Sequence, residues 1–578
     1  MKKLLLGNEA IARGLYEAGV KFVSSYPGTP STEITEFAAK YGEVYAEWAP
    51  NEKVACEAAL GASMAGARSF TAMKHVGLNV AADPLFTSAY TGVNGGFVIC
   101  VADDPAMHSS QNEQDSRHYA RAAKLPMLEP SDSAECRDFV SVAYEISEKF
   151  DTPVLLRTCT RVAHSQSLVE LHERSEKELK AYEKNPSKYV MNPANGFKRH
   201  VVVEDRLKAL EAYANESPLN AEEIRDTKIG FVTSGACYQY IREVFPDASV
   251  LKLGFTYPSP IEKMRAFAEK VEKVYVVEEL DPVIETDMKV NGIRVDGGKE
   301  LFGLIGELSQ TKIAKAFGID TNDARSFGEP VPPRPPVMCT GCPHRGVFYT
   351  LSKMKLTVIG DIGCYTLGAA APLSAVDSTV CMGASVSMLH GFLKARPENA
   401  AKAVAVIGDS TFLHSGITSL TDIAYNQSIA TVLILDNSIT GMTGHQQNPA
   451  TGYTLKMQPV PPVSLEKVCE AVGIRRVRVA DPSDLKALES AIREELEANE
   501  PSVIIVRKPC MLLKNVKPKP ALSIDPDTCK GCRACMRLGC PAIRFENKKA
   551  VIDNTQCVGC GLCEQLCAFH AIGEGKQA

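Results

Sequence analysis

Residues 403–446 read AVAVIGDSTFLHSGITSLTDIAYNQSIATVLILDNSITGMTGHQ. Ala403 to Ile407 is a continuous apolar run of strand length, and residues 430–435 (ATVLIL) form a second. Unbroken apolar runs of this kind suit parallel strands covered on both faces. Between them Ile417, Leu420, Ile423 and Ala424 recur at helical spacing, so the stretch reads as a β-α-β unit. Its polar residues stand just past the strands: Gly408-Asp409-Ser410 after the first, Asp436-Asn437-Ser438 after the second. Open α/β sheets bind their ligands at those carboxyl ends. Asp409 and Asn437 are oxygen donors one β-α-β length apart. Mg²⁺ takes a near-octahedral oxygen shell shared with phosphate groups. Asp409, Asn437 and the backbone carbonyl of Ile439 would suit it, with a diphosphate completing the shell. The same two side chains could equally cap a helix and a turn.

The spacing resembles the thiamine diphosphate signature, Gly-Asp-Gly followed one β-α-β length later by Asn. Ser410 stands where that signature has its third residue, Gly; Ser is small enough to preserve close approach. The continuation Gly441-Met442-Thr443-Gly444-His445-Gln446 is similar to the segment after the metal site in 2-oxoacid:ferredoxin oxidoreductases. The resemblance implies a cofactor site built from Gly363, Cys364, Gly408, Asp409, Ser410, Asn437, Ile439, Gly441 and Thr443. Mg²⁺ would be held there by Asp409, Asn437 and Ile439.

The bulk numbers leave room for this. At 578 residues the chain has the length of roughly three to five domains. Its 45% hydrophobic and 23% charged residues are ordinary globular values. A net charge of −5, one tryptophan and 7% aromatics offer neither an electrostatic footprint nor stacking platforms for nucleic acid. No run is long and apolar enough for a membrane span. Met1-Lys2-Lys3 followed by three leucines mimics a signal peptide, but Gly7-Asn8-Glu9 ends the apolar stretch too soon. A cytoplasmic location is expected. Nineteen cysteines are many for such a protein unless metal uses them, and eight lie in the last fifty residues.

The fold class expected is multidomain α/β. Residues 1–190 read as a pyrimidine-binding-type α/β domain, 191–227 as a linker carrying one helix near Val203 to Ala214. Residues 228–320 read as a transketolase C-terminal-like domain and 321–336 as a Pro-rich linker. A diphosphate-binding α/β domain is expected over 337–515 and a small two-cluster bacterial ferredoxin domain over 516–578. In the first domain, the strand Phe22 to Tyr26 runs into Pro27-Gly28-Thr29-Pro30-Ser31-Thr32, a tight turn. Ser31 or Thr32 could cap the next helix. The turn resembles the Tyr-Pro-x-Thr-Pro-Ser turn of the same family, which implies that Thr29 meets the 2-oxoacid. Pro50-Asn51-Glu52 opens an alanine-rich helix. A carboxylate in a first turn is favoured by the helix dipole alone. The resemblance adds a role, with Glu52 on N1′ of the thiamine aminopyrimidine and Glu57 the fallback. Arg117, in a long polar loop after a strand, could clamp a substrate carboxylate bidentately. Residues 153–157 are expected to close the sheet.

Cys339-Thr340-Gly341-Cys342-Pro343-His344 and Gly363-Cys364 resemble two elements of the family's diphosphate-binding subunit, with Pro343 in place of a Gly. His344 is carried over as a catalytic residue. Cys510 falls where the family has a fourth cysteine, so Cys339, Cys342, Cys364 and Cys510 either hold a third cluster or are core thiols. The runs Cys529-x₂-Cys532-x₂-Cys535-x₄-Cys540-Pro541 and Cys557-x₂-Cys560-x₂-Cys563-x₃-Cys567 are the most specific signal in the chain. In two-cluster bacterial ferredoxins the fourth cysteine of each run ligates the other cluster. One [4Fe-4S] cluster would take Cys529, Cys532, Cys535 and Cys567. The other would take Cys540, Cys557, Cys560 and Cys563. The first run carries one extra residue before its last cysteine, which is expected to loosen that turn.

Thiamine with a tethered ferredoxin implies oxidative decarboxylation of a 2-oxoacid, with electrons leaving through iron–sulfur clusters. The whole layout resembles large subunits of the indolepyruvate-type branch of the family. That implies an aryl 2-oxoacid, coenzyme A as acyl acceptor and ferredoxin as electron acceptor. It also implies a smaller beta subunit supplying the gamma-type domain, in an (alpha-beta)₂ assembly. Another 2-oxoacid, or a non-redox decarboxylase or carboligase, remains an alternative, as does an electron-transfer scaffold.

Overall fold

The computed structural model describes residues 1–320 and 328–574. Part of the expected linker, 321–327, and the last residues of the expected ferredoxin domain, 575–578, lie outside the described residues. The chain forms two compact units, Met1–Gly328 and Glu329–Ala578.

In the first unit a seven-stranded sheet runs in the order Phe255–Tyr257, Met127–Leu128, Val154–Cys159, Phe97–Asp103, Ser69–Lys74, Phe22–Ser25, Tyr45–Trp48. All neighbours are parallel except the first pair. The three central strands are buried at every residue, as expected when helices cover both faces. A second sheet runs Lys273–Val277, Asp226–Ser234, Ala248–Leu253, Asn220–Glu223, the last strand antiparallel.

Two expectations are corrected in this unit. Residues 153–157 do not close the first sheet. Val154–Cys159 is internal, and the edge is made by Phe255–Tyr257, contributed from beyond residue 228. The three-residue strand was too short to leave a periodic signal. Residues 191–227 are not a linker. They hold a 24-residue helix, Pro193–Glu216, started by the Asn192 side chain accepting from the Asn195 N–H. Its buried stripe is Val203, Arg206, Leu210 and Ala214, a helical spacing that reaches only one narrow face. Asn220–Glu223 then joins the second sheet. The helix expected near Val203 to Ala214 is present and extends to Pro193 and Glu216.

The second unit carries a five-stranded parallel sheet in the order Thr357–Ile359, Ala403–Gly408, Thr431–Asp436, Ser502–Arg507, Arg476–Ala480. The two apolar runs that open the sequence reading are adjacent here, Val404 opposite Thr431 and Gly408 opposite Leu435. Strand side chains alternate in direction. Ala403, Ala405, Ile407, Val432 and Ile434 accordingly pack with Leu420 and Ile423 of the helix Ile417–Tyr425. Val404, Val406, Leu433 and Leu435 pack on the other face with Phe348, Leu488 and Ile492. Each fully buried Val, Leu, Ile or Phe among them contributes roughly 1.5–3 kcal/mol. The cysteine-rich C-terminal segment follows as two short antiparallel pairs, Leu522–Ile524 with Ile572–Glu574 and Ile543–Glu546 with Lys549–Ile552. No helix among the described residues is long and apolar enough to cross a membrane.

If Pro193–Glu216 is part of the fold, Leu210→Ala lowers the stability of the full chain by about 2–4 kcal/mol. A solvated linker residue would move it by less than about 0.5 kcal/mol. Chemical denaturation followed by circular dichroism separates the two.

Candidate functional site

In the first unit the Asn51 side chain accepts from the Val54 N–H (2.9 Å) and starts the helix Glu52–Met64. Glu52 is thereby its first residue and is buried, only 5% exposed. Its carboxylate lies against Gly77, where an added Cβ would stand 2.6 Å from Glu52 Oε1. Glu57 instead lies exposed and pairs with Lys53. Of the two carboxylates, only Glu52 faces inward.

Thr29 is half-buried in its turn. Ser31 Oγ donates to the Gly28 carbonyl (2.8 Å), so Ser31 closes the turn and makes no side-chain cap to the helix Thr32–Ala38. Beside it lies Lys74, which ends the strand Ser69–Lys74; its Cγ is 3.4 Å from where a Cβ on Gly28 would stand. Lys74 Nζ donates to the Ser109 carbonyl (2.8 Å). Burial pushes its pKa down, against the pull of Asp104 and Glu52. Sequence reasoning passed over Lys74. The available signal was a cation terminating an otherwise uncharged strand.

Arg117 does not stand as the substrate clamp expected of it. It is buried, and its guanidinium binds Asp115 (Nε–Oδ1, 2.9 Å), Glu278 (Nη1–Oε2, 2.5 Å) and the carbonyls of Glu279 (2.8 Å) and Asp281 (2.9 Å). Burial raises the pKa of the Glu278 carboxyl, and Arg117 opposes the rise. The residue ties the two sheets of its unit together, because residue 117 follows the first sheet's strand Phe97–Asp103 while 278–281 follow Lys273–Val277 of the second.

In the second unit Asp409, Asn437 and Ile439 are buried at the carboxyl ends of adjacent strands. Asp409 Oδ2 accepts from the Asn448 side chain (3.1 Å). Burial, then the neighbouring Asp436, pushes the Asp409 carboxyl up to about 7. A buried carboxylate in this position has too little compensation for its charge. The donor set of carboxylate, amide and backbone carbonyl fits a hard cation. Ser410 accepts from Thr440 Oγ1 (2.9 Å), and Thr443 Oγ1 donates to Gln446 Oε1 (2.5 Å). Gly441 lies against Cys364 and Asn437; a Cβ on it would stand 3.3 Å from Cys364 Sγ and 3.6 Å from Asn437 Nδ2. Gly363 and Gly408 both make room for the Tyr365 ring, which a Cβ on either would meet at 2.3 and 2.5 Å. His344 packs edge-on against the same ring, 5.8 Å between centroids, and burial pushes its pKa down to about 4. It is therefore a neutral imidazole at ordinary pH.

The cysteines gather in three foursomes. Cys339, Cys342, Cys364 and Cys510 act on one another electrostatically, and burial pushes Cys342 up to about 12 and Cys364 to about 11. The Cys510 N–H donates to the Asn437 carbonyl (2.9 Å), which ties this foursome to the strand-end site. Cys535 has Cys532, Cys529 and Cys567 as its thiol neighbours. Cys563, pushed up to about 12 by burial, has Cys560, Cys540 and Cys557, with Cys535 beyond them. Backbone N–H groups point at sulfur, Leu522 at Cys557 (3.4 Å) and Ala571 at Cys567 (3.2 Å). Among the described residues no three His, Cys, Asp or Glu side chains close round a single ion, as mononuclear zinc requires. Cys540, Cys557, Cys560 and Cys563 instead line a common cavity, together with Leu522, Leu538 and Arg345. Thiols arranged around a common space fit an iron–sulfur cluster better than a packed apolar core.

Comparison with known proteins agrees with this geometry. Residues 13–224 match the family model for pyruvate flavodoxin/ferredoxin oxidoreductase, thiamine diphosphate-binding. Residues 361–506 match the thiamine pyrophosphate enzyme C-terminal binding domain, and 521–568 the 4Fe-4S dicluster domain. Indolepyruvate oxidoreductase subunit IorA of Archaeoglobus fulgidus is 39% identical over 100% of this chain and 98% of its own. Its counterpart in Thermococcus kodakarensis is 41% identical over 99% and 97%. The chain belongs to the 2-oxoacid:ferredoxin oxidoreductase family, in its indolepyruvate branch. It is an enzyme that uses thiamine diphosphate and iron–sulfur clusters. A solved 2-oxoglutarate:ferredoxin oxidoreductase from Magnetococcus marinus is 17% identical, with a TM-score of 0.46 over 55% of this chain and 65% of that one.

Two outcomes follow for this family member. Asp409→Asn relieves the cost of charging a buried carboxyl whose folded pKa lies above its unfolded value, a cost fully present above about pH 7. The metal-free chain therefore gains about 1–3 kcal/mol at pH 8, the gain shrinks as pH falls towards 4, and Mg²⁺-dependent thiamine diphosphate binding is lost. Calorimetric melting and titration of the cofactor read both. Arg117→Ala leaves Asp115 and Glu278 buried without their cation and costs about 3–5 kcal/mol. The loss is smaller at pH 5 than at pH 8, because protonation discharges the stranded carboxyls; melting curves at the two pH values check it.

Proposed function

We propose that this chain is the large subunit of an enzyme that oxidatively decarboxylates an aryl 2-oxoacid, of indolepyruvate or phenylpyruvate type. Coenzyme A takes the acyl group, and the electrons leave one at a time to ferredoxin. The reading is carried by one observation: the Cys339, Cys342, Cys364 and Cys510 foursome abuts the strand-end site at Gly441 and Asn437. A decarboxylase or carboligase without redox chemistry has no use for such a connection.

When bound, thiamine diphosphate supplies the electron sink for the carbanion left by CO₂. Asp409, Asn437 and the Ile439 carbonyl would hold Mg²⁺ and through it the diphosphate. Gly408, Ser410, Gly363, Cys364, Gly441 and Thr443 border that position. Glu52, buried at a helix start, would hold the proton relay at the aminopyrimidine N1′. Thr29 faces the 2-oxoacid, and Lys74 rather than Arg117 is the cation beside its turn. His344, a neutral imidazole packed edge-on against Tyr365, keeps a nitrogen able to accept a proton. Two foursomes in the C-terminal segment would each hold a [4Fe-4S] cluster and the third foursome another. The relatives are named as subunits, which supports a smaller beta partner bearing the gamma-type domain, in an (alpha-beta)₂ assembly. We place the enzyme in the cytoplasm.

The test uses the anaerobically purified chain with its partner. CO₂ release from phenylpyruvate and indolepyruvate should require coenzyme A and an electron acceptor such as methyl viologen or ferredoxin. Release undiminished without any acceptor would overturn the redox reading. Iron should number about twelve per chain if three [4Fe-4S] clusters are present. Cys342→Ala should lower it to about eight; about eight in both proteins would remove the third cluster.

A further inference from the structure

Arg345 is 2% exposed in the helix His344–Met354. Its four hydrogen bonds all end on backbone carbonyls: Leu538 (2.6 Å) and Gly539 (2.7 Å) from Nη1, Met338 (2.7 Å) and Cys339 (3.0 Å) from Nη2. Its Nε–H is buried without a partner. Among the described residues no carboxylate is its hydrogen-bonding partner. A buried charge is tolerated only with a counter-charge or full hydrogen bonding, and here neither is complete.

The anions that would complete it are cysteine-based. Met338 and Cys339 begin the loop that carries Cys342. Leu538 and Gly539 immediately precede Cys540, and Arg345 lines the same cavity as Cys540, Cys557, Cys560 and Cys563. The guanidinium favours the thiolate of Cys342 on one side and of Cys540 on the other. Gly539 lies in the longer Cys535–Cys540 spacing. It adopts a left-handed backbone, and a Cβ on it would stand 2.7 Å from Pro372 and 3.6 Å from Arg345 Nη1. Two carbonyls of the longer spacing thus bind Arg345, and the turn is pinned where a loose one was expected.

We propose that Arg345 is a positioning residue for electron exit: it clamps the Cys339–Cys342 loop to the Cys540 loop, and its charge holds the cluster in the Cys540, Cys557, Cys560 and Cys563 cavity at a higher reduction potential than bare thiolate ligation would. This rests on the reading that those four cysteines hold a [4Fe-4S] cluster. The step affected is a one-electron transfer into that cluster. The reduced cluster carries one more negative charge, and an adjacent cation stabilises it over the oxidised form. Net charge and hydrogen bonds near the sulfurs are among the determinants of cluster potential.

The experiment compares the full-length wild type, Arg345→Lys and Arg345→Met, each reconstituted anaerobically, by iron content and by electron paramagnetic resonance during a redox titration. Arg345→Met should lower one cluster's midpoint by about 59 mV or more, a tenfold shift in a one-electron equilibrium. The signal of the cluster at Cys529, Cys532, Cys535 and Cys567 should stay in place. Arg345→Lys, which keeps the charge and loses the fork, should retain its iron and shift that midpoint less. Loss of four irons from Arg345→Met alone would also support the proposal. Unchanged midpoints in both iron-replete variants would overturn it, as would equal iron loss from the lysine variant. A wild type whose iron is unaffected by Cys540→Ala and Cys557→Ala would overturn the cluster reading itself, and the role of Arg345 with it.

Discussion

The parallel strands Ala403–Gly408 and Thr431–Asp436 are covered on both faces, and the second unit's chemistry depends on that burial. A strand with apolar packing above and below has no face on which a polar side chain can be satisfied. Polar groups can stand only where the backbone leaves the sheet. Asp409, Asn437 and Ile439 therefore collect at one edge, with Gly441 and Cys364 against them. Asp409 illustrates the cost. Its carboxyl is held near a pKa of about 7 by burial and by Asp436. Such uncompensated charge is expected where a fold keeps a place for a cation.

Buried charge also organises the first unit, with the opposite resolution. Arg117 and Arg157 are surrounded by carboxylates: Asp115 and Glu278 for the former, Asp103 (2.6 Å) and Glu129 (2.8 Å) for the latter. Their charges are matched by nearby carboxylates, so Arg117 ties the two sheets and Arg157 ties strands of the first. Lys74 and Arg345 contrast with them. Both are buried cations whose hydrogen bonds end on carbonyl oxygens.

Much of the site was legible beforehand because its signals are local. Cysteine spacing marks the two C-terminal runs through local chain geometry, and Cys535 and Cys563 each have thiol neighbours from both runs. Glu52 could be separated from Glu57 only in the fold, because both lie on one helix and its rotation decides which faces inward. Arg117 was misread because a polar loop after a strand is a common place for function. The segment that covers it, residues 278–281, is more than a hundred and sixty positions away.

The sequence by itself determined the order of elements, the polar residues at the strand ends and the two C-terminal cysteine runs, because each follows from periodicity or spacing within a short stretch of chain. Only the tertiary structure decided which charges are neutralised. It brought Glu278 to Arg117, set Lys74 beside Gly28, and placed Arg345 between the loops of Cys342 and Cys540. The physical reason is that desolvation and charge compensation depend on neighbours in space, and in each of these cases the deciding neighbour is distant along the chain.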